Sequence, residues 1–202
     1  MNNTSQNNIK LIVGLGNPDA QYQHTRHNMG VDLLEKLADD NRIYLNPESK
    51  FLGITGRGTI EDQDVRLLFP TTYMNESGRS VSAVCTFYRI KPEEILVLHD
   101  DLDLLPGQIR FKFGGGLAGH NGLKSICSCL GNSQNFYRLR IGIGKPPSRE
   151  VINWVLGRPA ASERDCIEAA MDAAIRGIYT FFSRGAQAAT NEINGFKITE
   201  NK

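Results

Sequence analysis

Short, nearly unbroken apolar runs alternate along the chain with stretches in which apolar residues recur every three or four positions. That is the pattern of buried strands set between amphipathic helices. Ile9 to Leu15 (IKLIVGL) reads as a buried, parallel strand. Met29 to Ala38 places Met29, Leu33, Leu34 and Leu37 on one helical stripe. Phe51 to Ile60 and Val65 to Phe69 flank Glu61-Asp62-Gln63-Asp64 as the arms of a hairpin. Asn75 is expected to cap a helix running to about Arg89, with Glu76 in its first turn. Ile95 to His99 and Gln108 to Phe113 are two further strands, and Phe136 to Ile143 alternates as a half-exposed strand would. Gly114-Gly115-Gly116 reads as a loop, with a helix following Asn121. Ser162-Glu163-Arg164-Asp165 resembles a capping box for a C-terminal helix whose stripe is Cys166, Ala170, Ala173, Ala174, Ile178 and Phe181. The expectation is an α/β fold: a single domain over residues 9–196 with a mixed, mostly parallel twisted sheet flanked by helices and a helical C-terminus. Residues 1–8 are expected to form a disordered tail and residues 197–202 a second tail.

Composition adds exclusions. A chain of 202 residues suits one domain and can bury a core without disulfide or metal staples. Cys85, Cys127, Cys129 and Cys166 form no CxxC pair and read as free thiols in a reducing compartment. No apolar run is long enough to span a membrane, and Met1 to Asn8 lacks the form of a secretory signal, so a cytoplasmic protein without a membrane partner is expected. Net charge is only +1, but its distribution is uneven. Leu104 to Arg149 holds seven basic residues (Arg110, Lys112, Lys124, Arg138, Arg140, Lys145 and Arg149) and no Asp or Glu. A stretch of one sign that long suggests a local surface for phosphates.

Three strand ends carry unusual polar residues: Asn17 with Tyr22, His27 and Asn28; His99-Asp100-Asp101-Leu102-Asp103; and Gly119-His120-Asn121-Gly122. Ligands of open α/β sheets sit outside the carboxyl ends of the strands. Gly14-Leu15-Gly16 is not a dinucleotide fingerprint: the third glycine would fall at Asp19, and Pro18 removes an N–H that a phosphate would use. No nucleotide or other cofactor is therefore expected. His27 stands at a helix start, whose positive end favours a neutral ring able to accept a proton. Asp100, leaving a buried strand, needs a partner, and a His–Asp pair meets both needs. No Gly-x-Ser-x-Gly elbow is present and no cysteine is visibly activated, so water is the expected nucleophile. His24 with His27, or His99 with Asp100, Asp101 and Asp103, keeps a metallohydrolase open as the rival, although no metal is expected.

At these residues the chain resembles bacterial peptidyl-tRNA hydrolases. The resemblance rests on Leu11–Pro18 (LIVGLGNP), Thr25–Asn28 (TRHN), Pro70–Asn75 (PTTYMN), His99–Leu104 (HDDLDL), Gly114–Gly122 (GGGLAGHNG) and Asn135–Gly144 (NFYRLRIGIG), in the family's order. It implies hydrolysis of the ester between a peptide and the 3′-terminal ribose of tRNA, which recycles tRNA released early from the ribosome. It also implies a metal-independent monomer whose partner is peptidyl-tRNA. By the same resemblance, His27 is the general base, Asp100 holds it, and Asn17 helps to tell peptidyl-tRNA from free aminoacyl-tRNA. Tyr22, Tyr73, Met74, Asn75 and Asn121 match substrate contacts, with Met74 lining the peptide groove. Arg110, Lys112, Arg140 and Arg149 match basic positions near tRNA phosphates. Two places depart from some relatives: Leu117-Ala118 interrupts the glycine loop, and Arg149 replaces a lysine. An RNA-binding module of the same fold without catalysis stays open as a second alternative.

Overall fold

The computed structural model describes residues 8–198; most of the two expected tails, residues 1–7 and 199–202, lies outside them. Seven strands form one sheet in the order β2-β3-β4-β1-β5-β7-β6. They are β1 (Leu11–Gly14), β2 (Asn46–Glu48), β3 (Gly53–Ile60), β4 (Gln63–Pro70), β5 (Ile95–Asp101), β6 (Ile109–Phe113) and β7 (Tyr137–Gly142). The central strands β4, β1, β5 and β7 are mutually parallel, while β3 and β6 run the other way.

The apolar runs behave as their composition requires. All four residues of β1 and all seven of β5 are buried, because helices cover both faces. On one face α1 (Met29–Asp40), α5 (Ala161–Arg184) and α6 (Ala186–Asn194) enclose Leu33, Leu34, Leu96, Leu98, Phe111 and Phe181. On the other, α2 (Ser77–Tyr88) and α3 (Asn121–Cys129) enclose Val13, Leu15, Val81, Val97 and Ile126. A short α4 (Val151–Val155) lies between β7 and α5. The hairpin turn is only Glu61-Asp62, both left-handed (φ 49° and 62°), as a two-residue type I′ turn demands. Ile198, within the expected C-terminal tail, packs on Gly107.

Several local expectations fail. Asn75 does not cap a helix: it sits inside a single 3-10 turn (Met74–Glu76), and α2 starts at Ser77. The capping box before α5 is absent, since Ala160 occupies the cap and Glu163 reaches Arg26 instead. β5 runs on through Asp100 and Asp101, so these aspartates are strand residues. β7 is buried rather than half exposed; Phe136 and Arg138 are both fully covered.

The direction of β6 matters most for the site. Because β6 is antiparallel to β7, its carboxyl end at Phe113 lies opposite Tyr137, beside the start of β5 at Leu96. The glycine loop therefore leaves the sheet at the wrong edge for a carboxyl-end site. It must travel back along the face to reach Asp100, four residues further along β5, or about 13 Å at strand rise.

Candidate active site

The site forms where β1 and β5 end. Behind β1, Gly14 and Gly30 bring α1 against the sheet: a Cβ on Gly14 would lie 2.6 Å from Leu34 Cβ, and one on Gly30 2.8 Å from the backbone N and O of Leu15. Gly14, which ends β1, thus serves close helix–strand packing rather than a phosphate. The turn beyond it is closed by Asn28, a buried residue to which the sequence assigned no role. Asn17 N–H donates to Asn28 Oδ1 (2.8 Å), and Asn28 Nδ2 donates to Asn17 O (3.0 Å). Both polar groups of the Asn17 peptide are engaged, and its side-chain amide makes no hydrogen bond among the described residues.

His27 occupies a 3-10 turn (Arg26–Asn28) that leads directly into α1. Arg26 anchors this turn. Its guanidinium lies 3.6 Å over the Trp154 ring and donates to Trp154 O and Glu163 Oε2 (both 3.2 Å). His27 Nδ1 stands 2.9 and 3.0 Å from the two Asp100 carboxylate oxygens. Asp100 is 3% exposed and accepts a second bond, from His120 Nε2 at 3.0 Å.

His120, noted at the third strand end, is the residue to which the sequence assigned no role. It is the N-cap of α3, its Nδ1 accepting from Gly122 N–H (3.1 Å) and Leu123 N–H (3.4 Å). Capping leaves Nδ1 without a proton, so the hydrogen must sit on Nε2 and point at Asp100. The helix expected to follow Asn121 begins with it instead: Asn121 is its first residue, and its exposed side chain is unbonded among the described residues. The signal was present as a histidine one place before a helix, but histidine is not a favoured cap, and nothing in the sequence paired it with Asp100.

The electrostatics follow from this geometry. Burial alone would push the Asp100 carboxyl up, but the two facing histidines outweigh burial and hold it far below its usual range. For His27, burial works downward, yet the Asp100 charge and hydrogen bond prevail and raise it above the ordinary value of 6.5. The helix-end argument for a depressed His27 is therefore overridden by its carboxylate. His99, beside His120 with ring centroids 5.2 Å apart, is pushed down by burial and by that neighbour. Its Nδ1–H donates to Asp100 O (2.8 Å), and its Nε2 has no partner among the described residues.

The other expected residues fall in two groups. Met74 is buried, and a Cβ on Gly122 would lie 2.8 Å from both Met74 Sδ and Leu15 Cδ1 and 3.1 Å from His120 Cε1. The segments after β1 and β4 and the start of α3 therefore converge. Tyr73, 75% exposed, and exposed Asn75 flank Met74 on the open side, and half-buried Tyr22 precedes the His27 turn. The basic residues gather elsewhere. Arg110 faces Arg140 and Lys112 faces Arg138 across the β6–β7 pair, which puts four cations on one face of the ribbon. Like charges placed directly opposite are unfavourable without an anion. Asp101 neutralises Arg140 (Nε to Oδ2, 2.7 Å), while burial followed by Arg138 and Arg140 pushes Lys112 down. Arg149 is exposed in the loop before α4, outside this ribbon.

The metal-ligand alternatives separate in space. His24 pairs with Asp32 (3.2 Å), and Asp103 pairs with Lys145 (3.0 Å). Among the described residues, His27, Asp100 and His120 are the group whose donor atoms converge, within 4.8 Å of one another. In that group His27 Nδ1 and His120 Nε2 are already bonded to Asp100.

Comparison with known proteins agrees with the fold. The family profile described as peptidyl-tRNA hydrolase matches residues 11–201. The peptidyl-tRNA hydrolase of Haemophilus influenzae is 54% identical over 191 residues, covering 94% of this chain and 98% of that protein. The enzyme of Sodalis glossinidius is 54% identical over 190 residues, with the same coverage of both chains. The crystal structure of peptidyl-tRNA hydrolase from Acinetobacter baumannii superposes with a TM-score of 0.91 at 49% identity, covering 95% of this chain and 97% of that one. With a family profile over residues 11–201 and relatives 54% identical across 94% of its length, the chain belongs to the peptidyl-tRNA hydrolase family.

Proposed function

We propose that this enzyme hydrolyses the ester between the peptide and the 3′-terminal ribose of peptidyl-tRNA, with water as nucleophile and His27 as its general base. The observation that carries the mechanism is the 2.9 Å bond from His27 Nδ1 to Asp100. It places the proton on Nδ1 and leaves Nε2 as the free base. Nε2 takes a proton from water as the oxygen attacks the ester carbonyl, Asp100 stabilises the imidazolium so formed, and the proton passes on to the leaving ribose oxygen. His120 shares the carboxylate and holds it in place.

The side-chain amides of Asn17, Asn75 and Asn121, all without hydrogen-bond partners among the described residues, are the candidates for holding the water, the peptide carbonyls and the developing oxyanion. Tyr22, Tyr73 and Met74 line the approach, and Arg110, Lys112, Arg140 and Arg149 bind tRNA phosphates, so affinity falls with salt. The remaining parts of the reading are one domain over residues 9–196, a cytoplasmic monomer and no metal. No helix among the described residues is long and apolar enough to cross a membrane.

The test is hydrolysis of N-blocked against free aminoacyl-tRNA, with and without chelator. Selective cleavage of the blocked substrate, indifferent to chelator, is expected; loss of activity on chelation would replace the water–histidine mechanism with a metal one. His27→Ala should lower turnover about 10²–10⁴-fold. Near-wild-type turnover by a folded variant would sink His27 as the base.

A further inference from the structure

Arg138 is a fully buried guanidinium without a carboxylate partner among the described residues. Removing such a charge from water costs several kcal/mol unless other groups compensate. Here the compensation is two backbone carbonyls and an aromatic face: Nη1 donates to Gly116 O, Nη2 to Gln134 O (3.0 Å), and the guanidinium lies 4.5 Å over Phe136, while Nε has no partner among the described residues. Gly116 is the centre of the loop that must return along the sheet face from the end of β6 to the site.

Packing does little to hold that loop. A Cβ on Gly116 or Gly119 would meet no atom within 4 Å, and one on Gly115 would meet only the Lys112 side chain. Leu117 packs against the apolar core beneath α2 and α3. Arg138 stands opposite Lys112 and Val97, partway along the path from Leu96 to Asp100. Beyond Gly116 the connection is stiff. His120 N–H donates to Leu117 O (2.9 Å), and Ala118 and Gly119 are both left-handed (φ 52° and 68°), as in a type I′ turn. An alanine there carries strain, and the turn delivers His120 to Asp100 and Asn121 to the open side.

We infer that Arg138 is a positioning residue: it latches the glycine loop at Gly116 and so sets where His120 and Asn121 stand beside Asp100. The inference rests on the reading of Asn121 as a substrate contact. The latch explains why a cation is buried without a counter-charge on a ribbon already rich in cations.

The experiment compares wild type with Arg138→Gln and Arg138→Lys by amide hydrogen exchange and by steady-state hydrolysis of peptidyl-tRNA. In Arg138→Gln, exchange of the 115–120 amides should rise at least about tenfold while those of β1 and β5 stay protected. KM should rise about tenfold and kcat fall less than about threefold, because the His27–Asp100 bond is untouched. Arg138→Lys keeps the charge but loses the fork that spans both carbonyls, and should fall between the two; it carries the test if Arg138→Gln does not fold. Wild-type exchange across the loop, or an unchanged KM with a loosened loop, would overturn the inference. Loop exchange is read without the reaction, so failure of the catalytic reading in His27→Ala would show separately.

Discussion

Asp100→Asn is the most informative substitution in this enzyme, because the geometry predicts how it fails and not only that it does. His120 must carry its proton on Nε2, since Nδ1 accepts from two helix amides. The replacement amide therefore turns its oxygen towards His120 and its NH2 towards His27. A donor facing His27 Nδ1 makes that nitrogen the acceptor and moves the ring proton to Nε2, the atom that must take a proton from water. The base is then present in the wrong tautomer. Loss of roughly 10³–10⁴-fold in kcat is expected, or about 4–5.5 kcal/mol of barrier, with KM changed little. The assay is single-turnover hydrolysis of N-blocked aminoacyl-tRNA, paired with substrate binding measured separately. A second variant separates tautomer from charge. His120→Asn keeps a good helix cap but is too short to reach residue 100, so it frees the amide of Asp100→Asn to turn. The double substitution should recover part of the lost rate. Wild-type turnover by Asp100→Asn would remove the pair from the mechanism, and a double variant no faster than Asp100→Asn alone would refute the tautomer argument.

Other outcomes follow from the same geometry. As the proposed base His27 would act in its neutral form, and its pKa is raised, so kcat/KM should climb with pH through a value above 6.5; an acid limb below that would mean Asp100 does not govern the ring. The raised His27 pKa contributes stability that is present below its unfolded value and lost as pH rises through the folded one. The depressed Asp100 pKa contributes stability that is lost as pH falls below the usual carboxylate range. Lys112→Ala should raise KM and flatten its salt dependence with kcat unchanged, whereas Arg140→Ala should also lower the denaturation midpoint by leaving Asp101 buried and unpaired. Equal midpoints for the two would contradict the ion pair. Gly30→Ala forces a methyl against the Leu15 backbone and should cost at least about 1–3 kcal/mol in urea unfolding.

The parallel core was legible from hydrophobic pattern alone. An apolar run such as Leu11 to Leu15 can be satisfied only by burial on both faces, and the stripes of α1 and α5 can be satisfied only against such a sheet. His27 and Asp100 were legible as well, because a histidine at a helix start and an aspartate ending a buried strand each lack something the other supplies. The family resemblance supplied the substrate, which spacing could not.

Other features were decided by packing between distant segments. Chain direction is not written in a strand's composition, so the antiparallel run of β6, and the return path it forces on the glycine loop, emerged only with the sheet. The alternation of Arg138 with its neighbours read as exposure because a charged residue is ordinarily solvated; its burial depends on carbonyls offered by nearby Gln134 and by Gly116, twenty-two residues earlier. The cap of α3 fell to His120 rather than Asn121 because Asp100, twenty residues earlier, fixes the ring from its other side. Sequence thus determined which groups needed burial or a partner, since that need is a property of each residue. Only the tertiary structure decided which partner met it, because that choice is made by the segments that converge around each residue.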